Sequence, residues 1–94
     1  GIAGSTNLDA FAECLAENGA TMYGAEWCSH CKDQKAMFGS SFKNVDYVEC
    51  TVEQQKCVES GISGYPSWVF SDGTILAGVQ QFSTLAKKTG CVLN

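Results

Sequence analysis

Along this 94-residue chain the spacing of apolar positions changes several times, and each change marks an element. Leu8, Phe11, Ala12 and Leu15 recur at i, i+3, i+4 and i+7, the signature of one helical face. Thr6 with Asp9 resembles a capping box ahead of that face, and Asn18-Gly19 supplies a stop. Residues 20–25, "ATMYGA", form a short apolar run suited to a buried strand. "EWCSHCK" then opens a second helix, which runs to about Phe38 and breaks at Gly39-Ser40-Ser41. Residues 45–50, "VDYVEC", are rich in strand formers. Thr51 and Gln54 have the spacing of a capping box for a short helix that Gly61 ends. A strand over 67–70 follows, and Asp72-Gly73 between "SWVF" and "TILAG" is a strong hairpin signal. Phe82, Leu85 and Ala86 mark a last helix, with Lys87 and Lys88 where the helix dipole favours cations. The predicted order is αβαβαββα: a flexible N-terminal segment over 1–7, then a single α/β domain over 8–94.

Composition narrows what such a domain can do. At 45% hydrophobic, with five Phe, three Tyr and two Trp, the chain can build a core without needing staples to fold. Its net charge of −4 and lack of a Lys/Arg cluster argue against nucleic acid and anionic membrane surfaces as partners. Apolar runs are too short to span a bilayer, and no signal-peptide pattern opens the sequence. Six cysteines are many for a cytosolic chain of this length and point to an oxidising, extracytosolic compartment. The expectation is a domain cut from a longer protein, or one whose targeting segment lies outside this sequence.

The chemistry gathers at Cys28-Ser29-His30-Cys31. A CxxC can be a redox pair, half of a zinc site or a passive disulfide. Zinc needs four ligands; the only histidine lies inside this motif, and Cys50 and Cys57 are poorly spaced for a second half, so no metal is expected. At a strand-to-helix junction Cys28 falls in the first helical turn, where free backbone N–H groups and the dipole favour a thiolate. Cys31 falls one turn further in, within bonding reach yet shielded. Beside that sulfur, a partly positive His30 imidazole would favour the reduced form and make the disulfide a better oxidant. The plainer alternative is an exposed helical histidine.

Together these residues resemble the thioredoxin superfamily: "WCSHCK" after a β run, then "GYP", a hairpin and a helix. The resemblance spans residues ~8–90 and is closest to the thioredoxin-like domain of bacterial and plant vitamin K epoxide reductase (VKOR) homologue fusions. Met22-Tyr23-Gly24-Ala25, Gln34-Lys35, Met37-Phe38-Gly39, Tyr47–Cys50 and Gly64-Tyr65-Pro66 with Trp68 carry it. It implies a central mixed sheet flanked by helices and a protein disulfide oxidoreductase without a bound cofactor. It also implies a cis Pro66 facing the CxxC, a Tyr65 backbone that pairs with an extended substrate, and Trp27 on the rim. Partners would be thiol-containing proteins and a VKOR-type quinone-linked membrane protein that re-oxidises a monomeric domain. Two departures tilt the reading from reductase toward disulfide-donating oxidase or isomerase. Met22 stands where reducing thioredoxins carry a buried aspartate, and Ser29-His30 replaces Gly-Pro. A reducing thioredoxin-like protein and a redox-passive thioredoxin-fold binding module are the alternatives, since fold alone does not establish activity.

Setting aside Cys28 and Cys31, the remaining four cysteines allow three pairings. The resemblance points to Cys50–Cys57, leaving Cys14–Cys91 to tie the first helix to the tail. A helix starting right after Thr51 would hold the Cα atoms of Cys50 and Cys57 ~9 Å apart, beyond the ~7 Å a disulfide tolerates. The pair therefore requires a later helix start or a loop that folds back. A buried free thiol at Cys14 and a second redox pair at Cys50 and Cys57 are the competing readings.

Overall fold

A computed structural model describes the backbone of residues 2–93, with side chains from residue 8 onward. The elements are α1 (Ile2–Glu17), β1 (Thr21–Gly24), α2 (Ser29–Phe38), a 3-10 segment (Gly39–Asn44), β2 (Asp46–Glu49), α3 (Gln54–Glu59), β3 (Ser67–Val69), β4 (Ile75–Ala77) and α4 (Phe82–Thr89). The four strands form one mixed sheet in the order β2-β1-β3-β4. Strand β1 pairs parallel with β2 across the α2 crossover, and antiparallel with β3, which is hairpinned to β4. With its flanking helices this α/β sheet is consistent with a thioredoxin-like fold.

Register brings Met22 beside Tyr47 on one side and Trp68 on the other. Directly paired residues share a sheet face, so these three point into the main core. There Phe11, Ala12 and Leu15 of α1, Phe38 of α2 and Leu85 of α4 are buried with them. Phe38 and Phe82 meet edge to face at 4.9 Å between ring centroids. A smaller cluster of Val48, Cys50 and Cys57, flanked by Tyr23 and Ile62, packs α3 against the sheet.

Two helix starts differ from the sequence pattern. The backbone of α1 is helical from Ile2, ahead of Thr6, so the helix begins earlier than the Thr6–Asp9 spacing suggests; no proline interrupts residues 2–7. Thr6 lies outside the described side chains, and Asp9 accepts a hydrogen bond from the Ser41 hydroxyl rather than closing a cap. Helix α3 begins at Gln54, two residues later than the Thr51–Gln54 spacing suggests, and its N-cap Glu53 makes no side-chain cap bond. Thr51 is engaged elsewhere: its hydroxyl donates to Glu49 Oε2 at 2.8 Å. The N–H groups of Val52 and Glu53 both return to the Glu49 carbonyl. That folded turn is what brings the Cα atoms of Cys50 and Cys57 to 5.8 Å, and the two are bonded. Cys14 is bonded to Cys91, joining α1 to the segment after α4.

The remaining stops follow local chemistry. Gly39, with φ of +58°, ends α2 in a conformation that side chains avoid. In the hairpin, Thr74 N–H donates to Asp72 Oδ1 at 2.9 Å and Gly73 takes a φ of +86°. Lys88, in the last turn of α4, reaches the same Asp72 carboxylate at 2.8 Å.

Candidate active site

Leaving β1, the chain turns so that Cys28 N–H donates to the Ala25 carbonyl at 3.0 Å. Cys28 is the N-cap of α2, with extended backbone angles, and its Sγ accepts from the Cys31 N–H at 3.3 Å. Sulfur thus takes the place an oxygen usually fills at an N-cap, satisfying one of the four free donors of the first turn. Both cysteines are free thiols, and both are buried: Cys28 keeps 7% exposure and Cys31 none. Only Cys28 offers an edge to solvent.

Across from it, the Cys28 thiol is 3.7 Å from the Tyr65 carbonyl oxygen, and the Tyr65–Pro66 peptide is cis. Pro66 is buried, whereas Trp27 and Tyr65 stand exposed with their rings edge to face at 5.7 Å. Cys28 opens into a groove of about 590 Å³ lined by Trp27, Ser29, His30, Ser63, Gly64 and Tyr65. His30 is on that groove wall, but its imidazole is largely exposed and its ionic neighbour is Asp33, at 3.9 Å. A second depression, about 750 Å³ along residues 52–59, holds neither sulfur. Among the described residues no three His, Cys, Asp or Glu side chains gather as a metal site requires.

Beneath Cys31 lies a polar group that the sequence reading passed over. The Tyr47 hydroxyl donates to Glu49 Oε1 at 2.7 Å, and Glu49 Oε2 accepts the Glu26 N–H at 2.9 Å. Tyr47 and Glu49 alternate onto one face of β2, the face that β1 shares with the main core. Gly24 makes the approach close: a Cβ there would be 2.9 Å from Cys31 Sγ and 3.1 Å from the Tyr47 oxygen. Lys35 Nζ stands 4.2 Å from the centroid of the Tyr47 ring. The signal was available in "YVEC", since period-2 alternation pairs residues 47 and 49. What was missing was that β2 runs beside β1, under the motif.

The electrostatics separate these groups. Burial, then the hydrogen bond and charge of Cys28, push the Cys31 thiol up to about 11, with the Ala25 backbone and, less, Lys35 pulling the other way. Burial and the Glu49 hydrogen bond raise the Tyr47 phenol above its ordinary value. Burial also works to raise Glu49, but the Tyr47 and Thr51 hydroxyls and the Glu26 and Thr51 amides outweigh it, holding the carboxyl below the usual range. Gln34, buried in α2, accepts from Trp68 Nε1 at 3.1 Å and from Gln80 N–H at 2.7 Å, which pins the helix carrying the cysteines to the sheet.

No protein-family model matches the chain. An alignment over 94 residues, 90% of the chain, is 40% identical to the thiol-disulfide oxidoreductase LTO1 of Arabidopsis thaliana and covers 25% of that protein. A protein disulfide-isomerase of Aspergillus niger is 32% identical over 67% of the chain, covering 14% of its own length. One from Arthroderma benhamiae is 34% identical over 63% of the chain, covering 13% of its own length. The chain therefore spans about a quarter or less of the curated relatives it matches. This homology supports a thioredoxin-like superfamily and a general redox function.

Proposed function

We propose that this chain is a disulfide-donating thiol–disulfide oxidoreductase domain working through Cys28 and Cys31. In the oxidised form a substrate thiolate attacks Cys28 Sγ, the Cys28–Cys31 bond breaks, and Cys31 leaves with the electron pair. A second substrate thiolate attacks the substrate sulfur of the mixed disulfide, and Cys28 leaves. The substrate gains a disulfide and the domain is reduced by two electrons. Re-oxidation falls to a VKOR-type quinone-linked membrane protein, and the setting is an extracytosolic oxidising compartment. The Cys14–Cys91 and Cys50–Cys57 bonds support that setting, because such crosslinks persist where thiols are not kept reduced.

One observation carries the reading: Cys28 Sγ is the N-cap acceptor of α2 at the mouth of a groove, with Cys31 buried one turn behind it. The N–H that Cys31 donates to Cys28 Sγ at the helix start supports the reduced pair, which favours disulfide transfer to others. Trp27 and Tyr65 form an aromatic wall, and the Tyr65 carbonyl lies where an extended substrate could pair as an added strand. His30 sits in the groove as a further contact for the entering thiolate.

Equilibration with glutathione tests the direction. A Cys28–Cys31 reduction potential in the ~−120 to −180 mV range of oxidants and isomerases is expected. A value near −270 mV, at the thioredoxin end of the scale, turns the reading to a reductase. Cys28→Ser should abolish disulfide transfer to a reduced protein substrate. Cys31→Ser should accumulate the mixed disulfide, visible on non-reducing gels.

A further inference from the structure

The exchange just proposed leaves a proton unassigned. Cys31 has no exposed surface, yet it must lose a proton each time it attacks and regain one each time it leaves. Direct solvent access is closed, so the exchange needs a polar group at the sulfur. The Tyr47 oxygen is that group: it and Cys31 Sγ both lie about 3 Å from the point where a Gly24 Cβ would be. The two atoms are therefore at most about 6 Å apart, a span that one bridging water closes. Because the phenol already donates to Glu49 Oε1, its lone pairs are free to accept from Cys31. Glu49 is only half-buried, at the end of β2, and borders the exposed Thr51, so it can trade protons with solvent.

We infer that Tyr47 and Glu49 form the proton route to Cys31, supplying from β2 what Met22 of β1 cannot, and this rests on the thiol–disulfide reading above. When Cys31 resolves a mixed disulfide, its S–H proton passes to Tyr47 Oη as the phenolic proton passes to Glu49. Cys31 Sγ then bonds to Cys28 Sγ, the Cys28–substrate bond breaks, and the electron pair departs on the substrate sulfur. The cysteine pair is oxidised by two electrons and the substrate sulfur is reduced. In the donating direction the same path runs backwards and protonates the departing Cys31. Glu49 acts only through Tyr47 and is a positioning residue and terminal proton acceptor. The other charged or titratable groups facing this path are Cys28 at the helix start and Lys35, whose ammonium lies over the Tyr47 ring. A carboxyl held below the usual range stays ionised near neutral pH and is always ready to accept.

The test uses the reduced chain, with its two other disulfides intact, and 5,5′-dithiobis(2-nitrobenzoate). Cys28 attack releases one chromophore and Cys31 attack releases the second, so the phases separate in stopped flow. In Tyr47→Phe and in Glu49→Gln the ratio of second-phase to first-phase rate at pH 7 should fall about tenfold or more, as loss of general base help does. The deficit should shrink as pH rises toward 11, where hydroxide ionises Cys31 unaided. Wild-type ratios in both variants, or an equal loss at every pH, would overturn the proton route. Two chemically different variants guard against one failing to fold. If the wild type gives no second phase at all, the thiol–disulfide reading itself fails instead.

Discussion

Among single residues, Gly24 shows how a small side chain can be chosen by chemistry three elements away. Its φ is not positive, so backbone freedom is not the reason for glycine. The reason is space, because Cys31 Sγ and the Tyr47 hydroxyl both crowd the position a Cβ would occupy. Gly24→Ala should therefore destabilise the reduced chain by about 1–3 kcal/mol, as overpacking a filled core does. Urea melts measure the loss, and an unchanged midpoint would mean the crowding is not real. Met22 carries the complementary lesson. Read alone, it weakens proton handling at Cys31. In the sheet it stands between Tyr47 and Trp68, and the polar groups come from the neighbouring strand. The place of Cys28 and Cys31 at a helix start was legible from spacing; that of Tyr47 and Glu49 beneath Cys31 was not, because it depends on which strand lies next to β1.

At the scale of elements, α2 is held at both ends of its task. Its N-terminus is capped by the reactive sulfur itself, and its middle is tied down by Gln34. A buried glutamine on an otherwise apolar contact surface looks expensive, but its oxygen and nitrogen are all engaged, with Trp68, Gln80 and Met37. Replacing Gln34 with Leu leaves the Trp68 indole N–H and the Gln80 amide without partners. The expected cost is about 2–6 kcal/mol, from roughly 1–3 for each orphaned group. Denaturant unfolding followed by tryptophan fluorescence would show it, and a variant as stable as the parent would refute the bridging role. Helix α3 is the element the sequence placed least well. Thr51 and Gln54 have the right spacing for a cap, but Glu49 is a stronger partner for the Thr51 hydroxyl and takes it. A local motif lost to a nearby carboxylate, and the Cys50–Cys57 bond became geometrically reachable as a result.

Across the whole molecule, the Cys14–Cys91 bond does the longest-range work, closing a sequence separation of 77 residues. On the chain-entropy account, removing it with Cys14→Ser and Cys91→Ser together should cost roughly 4 kcal/mol. The shorter Cys50–Cys57 loop should cost roughly 2–3 kcal/mol. Thermal unfolding of the two double variants should rank in that order, and a reversed ranking would show that native contacts, not loop closure, dominate. The sequence by itself determined the element order, the hairpin at Asp72-Gly73 and the CxxC at a helix start. Each of these is written in spacings of a few residues, where backbone geometry and side-chain period leave little choice. Tertiary structure alone decided which strands are neighbours and that Tyr47 and Glu49 lie under Cys31. Those outcomes depend on residues far apart in the chain meeting across a sheet, and no local period records such a meeting.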